Sequence, residues 1–185
     1  MENNKELQLL KLIKDGNRSA MSDLYRHNIG YLTALCSRYI IDSDEIYDTL
    51  QNSFIKIFSS IDRFQYRGPG SLKAWMSRIV VNESLKTLSA HKKSNKFKED
   101  LKIDISDTEE VPDTEDIPAS VIQGMIRELP EGYRTVFNLF VFEELSHREI
   151  ANILGITEST SASQFHRAKN ILAKKIKEYR NRENI

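Results

Sequence analysis

Apolar residues return along this chain at three- and four-residue steps, which is the mark of amphipathic helices, and no alternating pattern competes for strand. Leu7, Leu10 and Ile13 share one helix face, and Gly16 is placed to end that helix. A second helix is expected from about Ser19, carrying Leu24, Tyr25, Leu32, Leu35 and Tyr39. The stretch DSDE at 42–45 offers Ser43 or Asp44 as the cap of a third. In that third helix Ile46, Leu50, Phe54, Ile57, Phe58 and Ile61 form a clear apolar stripe. RFQYRGPG then breaks the period with two glycines and a proline. Ser71 is the expected cap of the next helix, whose apolar face is Leu72, Trp75, Met76 and Ile79, with Leu85 and Leu88 beyond.

Residues 91–118 change character. They are poor in large apolar side chains, dense in acids, and unable to form a core of their own. The segment reads as a flexible linker, and as a free coil it would span roughly 30 Å. The reading is therefore all-α: a helical domain over 1–90, an acidic linker over 91–118, and a second small domain over 119–185 that ends in a helix–turn–helix. In that second domain one helix is expected near 119–129, stopping before Pro130, which suits the first position of the next. The next carries Tyr133, Val136, Phe137, Phe140 and Val141. Ser146 and Glu149 have capping-box spacing, Gly155 closes the short helix that follows, and Thr157 caps the last one.

Total charge is zero, 27 basic against 27 acidic residues, and a uniformly neutral surface binds nucleic acid poorly. The distribution is not uniform. Residues 1–98 hold 16 Lys/Arg and 10 Asp/Glu, residues 99–118 hold one Lys and nine acids, and residues 119–185 hold 10 basic and 8 acidic. Two mildly basic blocks thus flank an acidic run. A single cysteine, Cys36, excludes an internal disulfide and fits a reducing compartment. With no long apolar run and no signal-peptide core, the expectation is a soluble cytoplasmic protein, without membrane insertion. The four histidines (His27, His91, His147, His166) are scattered, Cys36 lacks metal-ligand neighbours, and no phosphate-binding glycine motif occurs. Nothing points to an enzyme, a metal or a cofactor.

The stretch SHREIANILGITESTSASQFHRAK, 146–169, reads as two short helices joined at Gly155. Ile150, Ala151 and Leu154 supply the first packing face, with Ile156 in the turn. In the second helix Ser161, Phe165, Ala168 and Leu172 lie on one stripe, facing the protein. Ser159, Thr160, Ser163, Gln164 and Arg167 fall on the other side, all able to hydrogen-bond base edges or phosphates. An ordinary helical hairpin with a solvated polar face has the same periodicity. The absence of any acid on that face after Glu158 favours DNA.

LPEGYRTVFNLF…ELSHREIANILGITESTSASQFHRAKNIL resembles the C-terminal DNA-binding region of bacterial sigma factors of the sigma-70 family, specifically the short extracytoplasmic-function group. LYRHNIGYLTALCSRY…DTLQNSFIKIF…FQYRGPGSLKAWMSRIVVNESLK is similar to the other domain of that group. The resemblance covers roughly 20–90 and 120–178, with two motif sets in the family's order. It implies a promoter-specificity subunit that binds core RNA polymerase and promoter DNA, a monomer when free, commonly held inactive by an anti-sigma factor.

Residue roles follow from the resemblance. The helix matching DTLQNSFIKIF would dock on the polymerase, which assigns Asp48, Gln51, Asn52 and Lys56, with Tyr47 and Ser53 flanking and Phe54 and Ile57 left to the core. Plain solvent exposure is the alternative for Asp48 and Gln51. The next loop and helix would open the minus-ten element and hold an unstacked base: Arg63, Phe64, Tyr66, Arg67 and Lys73, then Arg78, Asn82 and Lys86 at four-residue steps. Aromatic faces and cations suit that task, each stacked base contributing ~1–3 kcal/mol. Trp75 lies on the apolar stripe and reads as core, and for Phe64 a place in the core is the alternative to a strand contact. At the minus-thirty-five element the recognition helix would use Ser159, Thr160, Ser163, Gln164, Arg167 and Lys169. Where this chain has Ser161, Ala162 and Gln164, many family members have valine, lysine and arginine. Two missing cations predict weak, steeply salt-dependent duplex binding by this domain alone. The acidic linker either threads a basic polymerase channel or is a passive tether. Two other readings stay open: a stand-alone helix–turn–helix regulator that needs no polymerase, and a degenerate sigma that only competes for polymerase.

Overall fold

The computed structural model describes residues 2–94 and 113–183, and every regular element among them is helical. The chain divides into two compact units, Met1–Phe97 and Lys98–Ile185. No described helix is long and apolar enough to cross a membrane.

The first unit contains α1 (Glu2–Lys14), α2 (Arg18–Cys36), α3 (Ser43–Ser60), a 3-10 turn (Ile61–Arg63) and α4 (Ser71–Ser94). α2 begins one residue before the expected Ser19, because the Asn17 side chain accepts from Ala20 N at 3.0 Å and satisfies a free amide of the first turn. The helix ends at Cys36, yet Tyr39 beyond it is fully buried. The cap of α3 is Asp42 rather than Ser43 or Asp44. Its carboxylate sits outside the first turn and accepts from both Asp44 N and Glu45 N at 3.0 Å, whereas Ser43 and Asp44 already lie inside the helix. The expected stripe of α3 holds, with Leu50, Phe54 and Ile57 buried and Ile61 buried just past its end.

Ser71 does not cap α4. It is the first helical residue, and its hydroxyl turns back to donate to Gly68 O (2.7 Å) and accept from Arg67 N (3.2 Å), closing the preceding loop. Leu72, Met76, Leu85 and Leu88 are buried as expected, joined by Val80 and Val81, while Trp75 and Ile79 are half-buried. Between α3 and α4 a polar rung, Thr49 Oγ1 to Thr87 Oγ1 at 3.0 Å, fixes the antiparallel register.

The second unit contains α5 (Ala119–Arg127), α6 (Glu131–Val141), α7 (His147–Leu154) and α8 (Glu158–Glu183). Its core gathers Ile117, Met125, Ile126, Leu129, Ala168, Leu172 and Ile176. Pro130 stands one place before the first helical residue rather than at it, in extended backbone. The buried Arg134 guanidinium donates to the carbonyls of Arg127 (3.2 Å) and Leu129 (3.0 Å) and so terminates α5. Both halves of the Ser146–Glu149 capping box are formed. The Ser146 hydroxyl also donates to the Glu149 carboxylate at 2.6 Å, and that bond, with the one from the Ser146 backbone amide (2.9 Å), holds the carboxyl below its ordinary range. Thr157 Oγ1 accepts from Thr160 N at 3.1 Å and caps α8, which runs far past the expected recognition segment.

The linker expected over 91–118 is shorter at both ends. α4 continues through Ser94, and Ile117 is buried in the second core. Residues 95–112 lie outside the described residues.

Gly155 takes φ +66°, the left-handed turn between α7 and α8, where a side chain would strain the backbone. Gly155→Ala is therefore expected to cost about 1 kcal/mol. In urea unfolding followed by circular dichroism, the transition of the second unit should move to lower urea. The Trp75 fluorescence transition, which reports the first unit through the only tryptophan of the chain, should stay in place.

Candidate nucleic-acid interface

Two polar rows run along the outside of the first unit. On α3, Asp48, Asn52 and Lys56 follow at four-residue steps, with Gln51 beside them, and Asp48, Gln51 and Asn52 are exposed. On α4, Arg78, Asn82 and Lys86 do the same, all three exposed. A half-buried Glu83 stands where the rows meet and accepts from Lys56 and from Lys86, the latter at 2.9 Å. Burial would raise the Glu83 pKa, but hydrogen bonds and charge from both lysines override it and hold the carboxyl below its ordinary value.

The loop before α4 is tied down by α1. Lys14 Nζ donates to Asp62 O (3.3 Å) and Phe64 O (3.4 Å). Partial desolvation raises the Tyr66 pKa, as do the charge of Glu6 on α1 and a hydrogen bond to it. Arg63 and Arg67 are exposed. Phe64 is not: it is 8% exposed and packs against Trp75 with ring centroids 5.0 Å apart. Lys73 lies 3.8 Å over the ring of Tyr31, whose hydroxyl accepts from Ser77 at 3.3 Å. At ~100° per residue, Lys73 stands roughly 140° round α4 from Arg78.

On α8 the packing stripe is as the period predicts. Ser161 and Ala168 are fully buried, Leu172 nearly so, and Phe165 stacks within 4.3 Å of Phe140. His147 stacks on Phe140 at 4.6 Å, and its Nδ1 lies 3.0 Å from the Ser161 hydroxyl, so the polar group in the stripe is satisfied. On the open side, Ser159, Ser163, Arg167 and Lys169 are exposed. Arg167 Nη1 donates to Tyr133 OH at 3.3 Å, and Lys169 Nζ is 5.6 Å from the Phe165 ring centroid. Thr160 and Ser159 hydroxyls both meet Thr157 Oγ1, at 2.7 and 2.9 Å. Gln164 is half-buried: a Cβ built on Gly132 would stand 3.6 Å from its Oε1, so the amide rests on the first turn of α6.

Residues 24–94 match the family described as Sigma-70 region 2, and residues 120–172 match Sigma-70, region 4. RNA polymerase sigma-H factor of Pseudomonas aeruginosa is 30% identical over 182 residues, which cover 90% of this chain and 91% of that protein. The chain belongs to the sigma-70 family of RNA polymerase sigma factors. Its group is the extracytoplasmic-function one. ECF RNA polymerase sigma-E factor of Haemophilus influenzae is 27% identical, covering 91% of this chain and 93% of its own. ECF RNA polymerase sigma factor SigW of Bacillus subtilis is 28% identical, covering 91% and 95%. Among solved structures, the sigma factor RpoE of Bartonella quintana, in complex with the anti-sigma factor NepR, is similar with 20% identity. That match covers 84% of this chain and 97% of that one, at a TM-score of 0.47.

In this sigma factor, four sequence assignments meet a different geometry. Phe64 is a packing residue, because its ring is spent on Trp75. Ser53 is fully buried and donates to Thr49 O at 2.7 Å, so it presents nothing to a partner. Lys73 is drawn to Tyr31, away from the α4 row. Ser161 is buried, so the valine that many family members have there is a packing difference, not a lost DNA contact. Tyr47, expected to flank the docking residues, is 62% exposed, and one feature was missed: Ile55, 65% exposed, lines the outer face of α3 with Tyr47 and Gln51. His166, which flanks the recognition face, stands on the same open face of α8 as Ser159, Ala162 and Ser163. The available signal was phase: Ile55 lies outside the 50–54–57–61 stripe, and 166 follows 159 and 163 at helical steps.

Phe64→Ala should cost about 3 kcal/mol, as large-to-small core changes do, and should shift Trp75 fluorescence. Arg67→Ala should stay within about 0.5 kcal/mol. Urea titration of both variants tests this; equal costs would return Phe64 to the surface.

Proposed function

We propose that this sigma factor divides its work between the surfaces described above. The outer face of α3, with Asp48, Gln51 and Asn52 flanked by Tyr47 and Ile55, docks on core RNA polymerase. Arg63, Tyr66 and Arg67 in the loop, and Arg78, Asn82 and Lys86 on α4, hold the opened strand of the minus-ten element. Ser159, Thr160, Ser163, Gln164, Arg167 and Lys169 border the major-groove face of α8 at the minus-thirty-five element, with Gln164 at its edge.

The observation that carries the reading is the pair of polar rows on the antiparallel helices α3 and α4, which meet at Glu83. One row carries an acid and two amides beside the exposed Tyr47 and Ile55 and suits a protein partner; the other carries two cations and an amide and suits a phosphate chain. From Ser159 to Lys169 the open face of α8 holds hydroxyls and cations without a carboxylate. Few of its groups are free for strong base contact, so the duplex is read weakly until polymerase fixes the spacing of the two units on DNA.

The subunit works in the cytoplasm, catalyses nothing itself and needs no cofactor. An anti-sigma factor is the partner that would cover Tyr47 and Ile55 when polymerase does not. The acidic segment between the end of α4 and Ile117 serves as the tether between the domains.

Run-off transcription with core polymerase on a random promoter library tests the whole reading. Transcripts should appear only when the protein is added. Arg78→Ala and Asn82→Ala should each keep polymerase affinity while strand opening falls on the order of tenfold, ~1.4 kcal/mol. Output unchanged by the protein, or tight binding of a symmetrical duplex site without polymerase, would contradict it.

A further inference from the structure

Glu83 joins the two rows. Its carboxylate takes Lys56 from α3 and Lys86 from its own helix, three residues on. The acid is the covered member: its side chain is 11% exposed, against 45% for Lys56 and 62% for Lys86. A carboxylate so covered remains satisfied when one lysine leaves. It is stranded without a counter-charge when both do, which is far more costly than losing one exposed contact. An outside anion can therefore take one of these lysines, not both.

The geometry chooses which. Lys86 is the more exposed, sits in line with Arg78 and Asn82, and is held only by a short-range pair along its own helix, which solvent screens. Lys56 reaches across from α3, and the packing of the two helices, pinned by the Thr49–Thr87 bond, keeps it beside Glu83.

We infer that Lys56 is a positioning residue rather than a polymerase contact: it neutralises Glu83 so that Lys86 is free to take a phosphate of the opened strand. The inference rests on the promoter-opening function proposed above. Without Lys56, Glu83 has only Lys86 and draws it in. The strand then loses a phosphate contact through a residue that touches neither DNA nor polymerase.

The test is equilibrium binding of the holoenzyme to a fluorescent single-stranded oligonucleotide. The oligonucleotide carries the nontemplate strand of a promoter recovered with the wild-type protein, and salt is varied. Lys56→Met should weaken binding about fivefold and flatten the logarithmic salt dependence by ~0.7, one single-strand phosphate contact. Lys86→Met should do the same, and the double variant no worse than either. Glu83→Gln placed in the Lys56→Met protein should restore binding, Lys56→Arg should retain it, and core polymerase affinity should be unchanged in all. Loss of polymerase affinity in Lys56→Met overturns the inference, as does an undiminished defect when Glu83→Gln is added, or no defect at all. A wild-type protein that shows no polymerase-dependent DNA binding overturns the function itself and this inference with it.

Discussion

The packing of α3 against α4 is the constraint on which the first unit depends. Each helix commits one apolar stripe to a common core, Leu50, Phe54 and Ile57 on one side and Leu72, Met76 and Val80 on the other. That commitment fixes rotation. Turning either helix by one residue, ~100°, would carry polar side chains inward and leave them unpaired at roughly 1–3 kcal/mol each. Asp48 and Asn52, and likewise Arg78, Asn82 and Lys86, face outward because nothing else is open to them, while Lys56 turns across to Glu83. α8 obeys the same rule. Its stripe of Ser161, Ala168, Leu172 and Ile176 faces inward, and the polar member is satisfied by His147.

Much of this was readable from period alone. The stripe of α3, the helix–turn–helix closed at Gly155, and the capping box at Ser146 and Glu149 are local patterns whose physics stays local. The failures share another cause. Asp42 as the cap of α3, and Ser71 turned back on its loop, depend on where the chain arrives from, which residue types do not disclose. Phe64 looked like a stacking platform because aromatic character is the same in a core and at a nucleic-acid surface. Only the position of Trp75 decides between them. Gln164 looked free to read a base, and the first turn of α6 beneath it comes from 32 residues earlier in the chain. Lys73 was grouped with the basic row by proximity in sequence, against the helical angle that separates them.

Charge is distributed in the same spirit. A chain of zero net charge grips nucleic acid only where its cations are spared their own acids. Glu83 sits between two cationic side chains, so how those three groups share their charge decides how strong the α4 row is. The two units belong to a family whose members act on promoters through polymerase. Weak faces whose spacing is set by a larger assembly suit that task better than one tight site.

Lysine acylation footprinting, read by mass spectrometry on the free protein, the polymerase complex and the opened promoter complex, tests the fixed rotation of α3 and α4 most directly. The account predicts that Lys86 becomes protected only when DNA opens, while Lys56 and Lys73 react equally in all three states. Protection of Lys56 on polymerase binding, or of Lys73 together with Lys86 on opening, would contradict it.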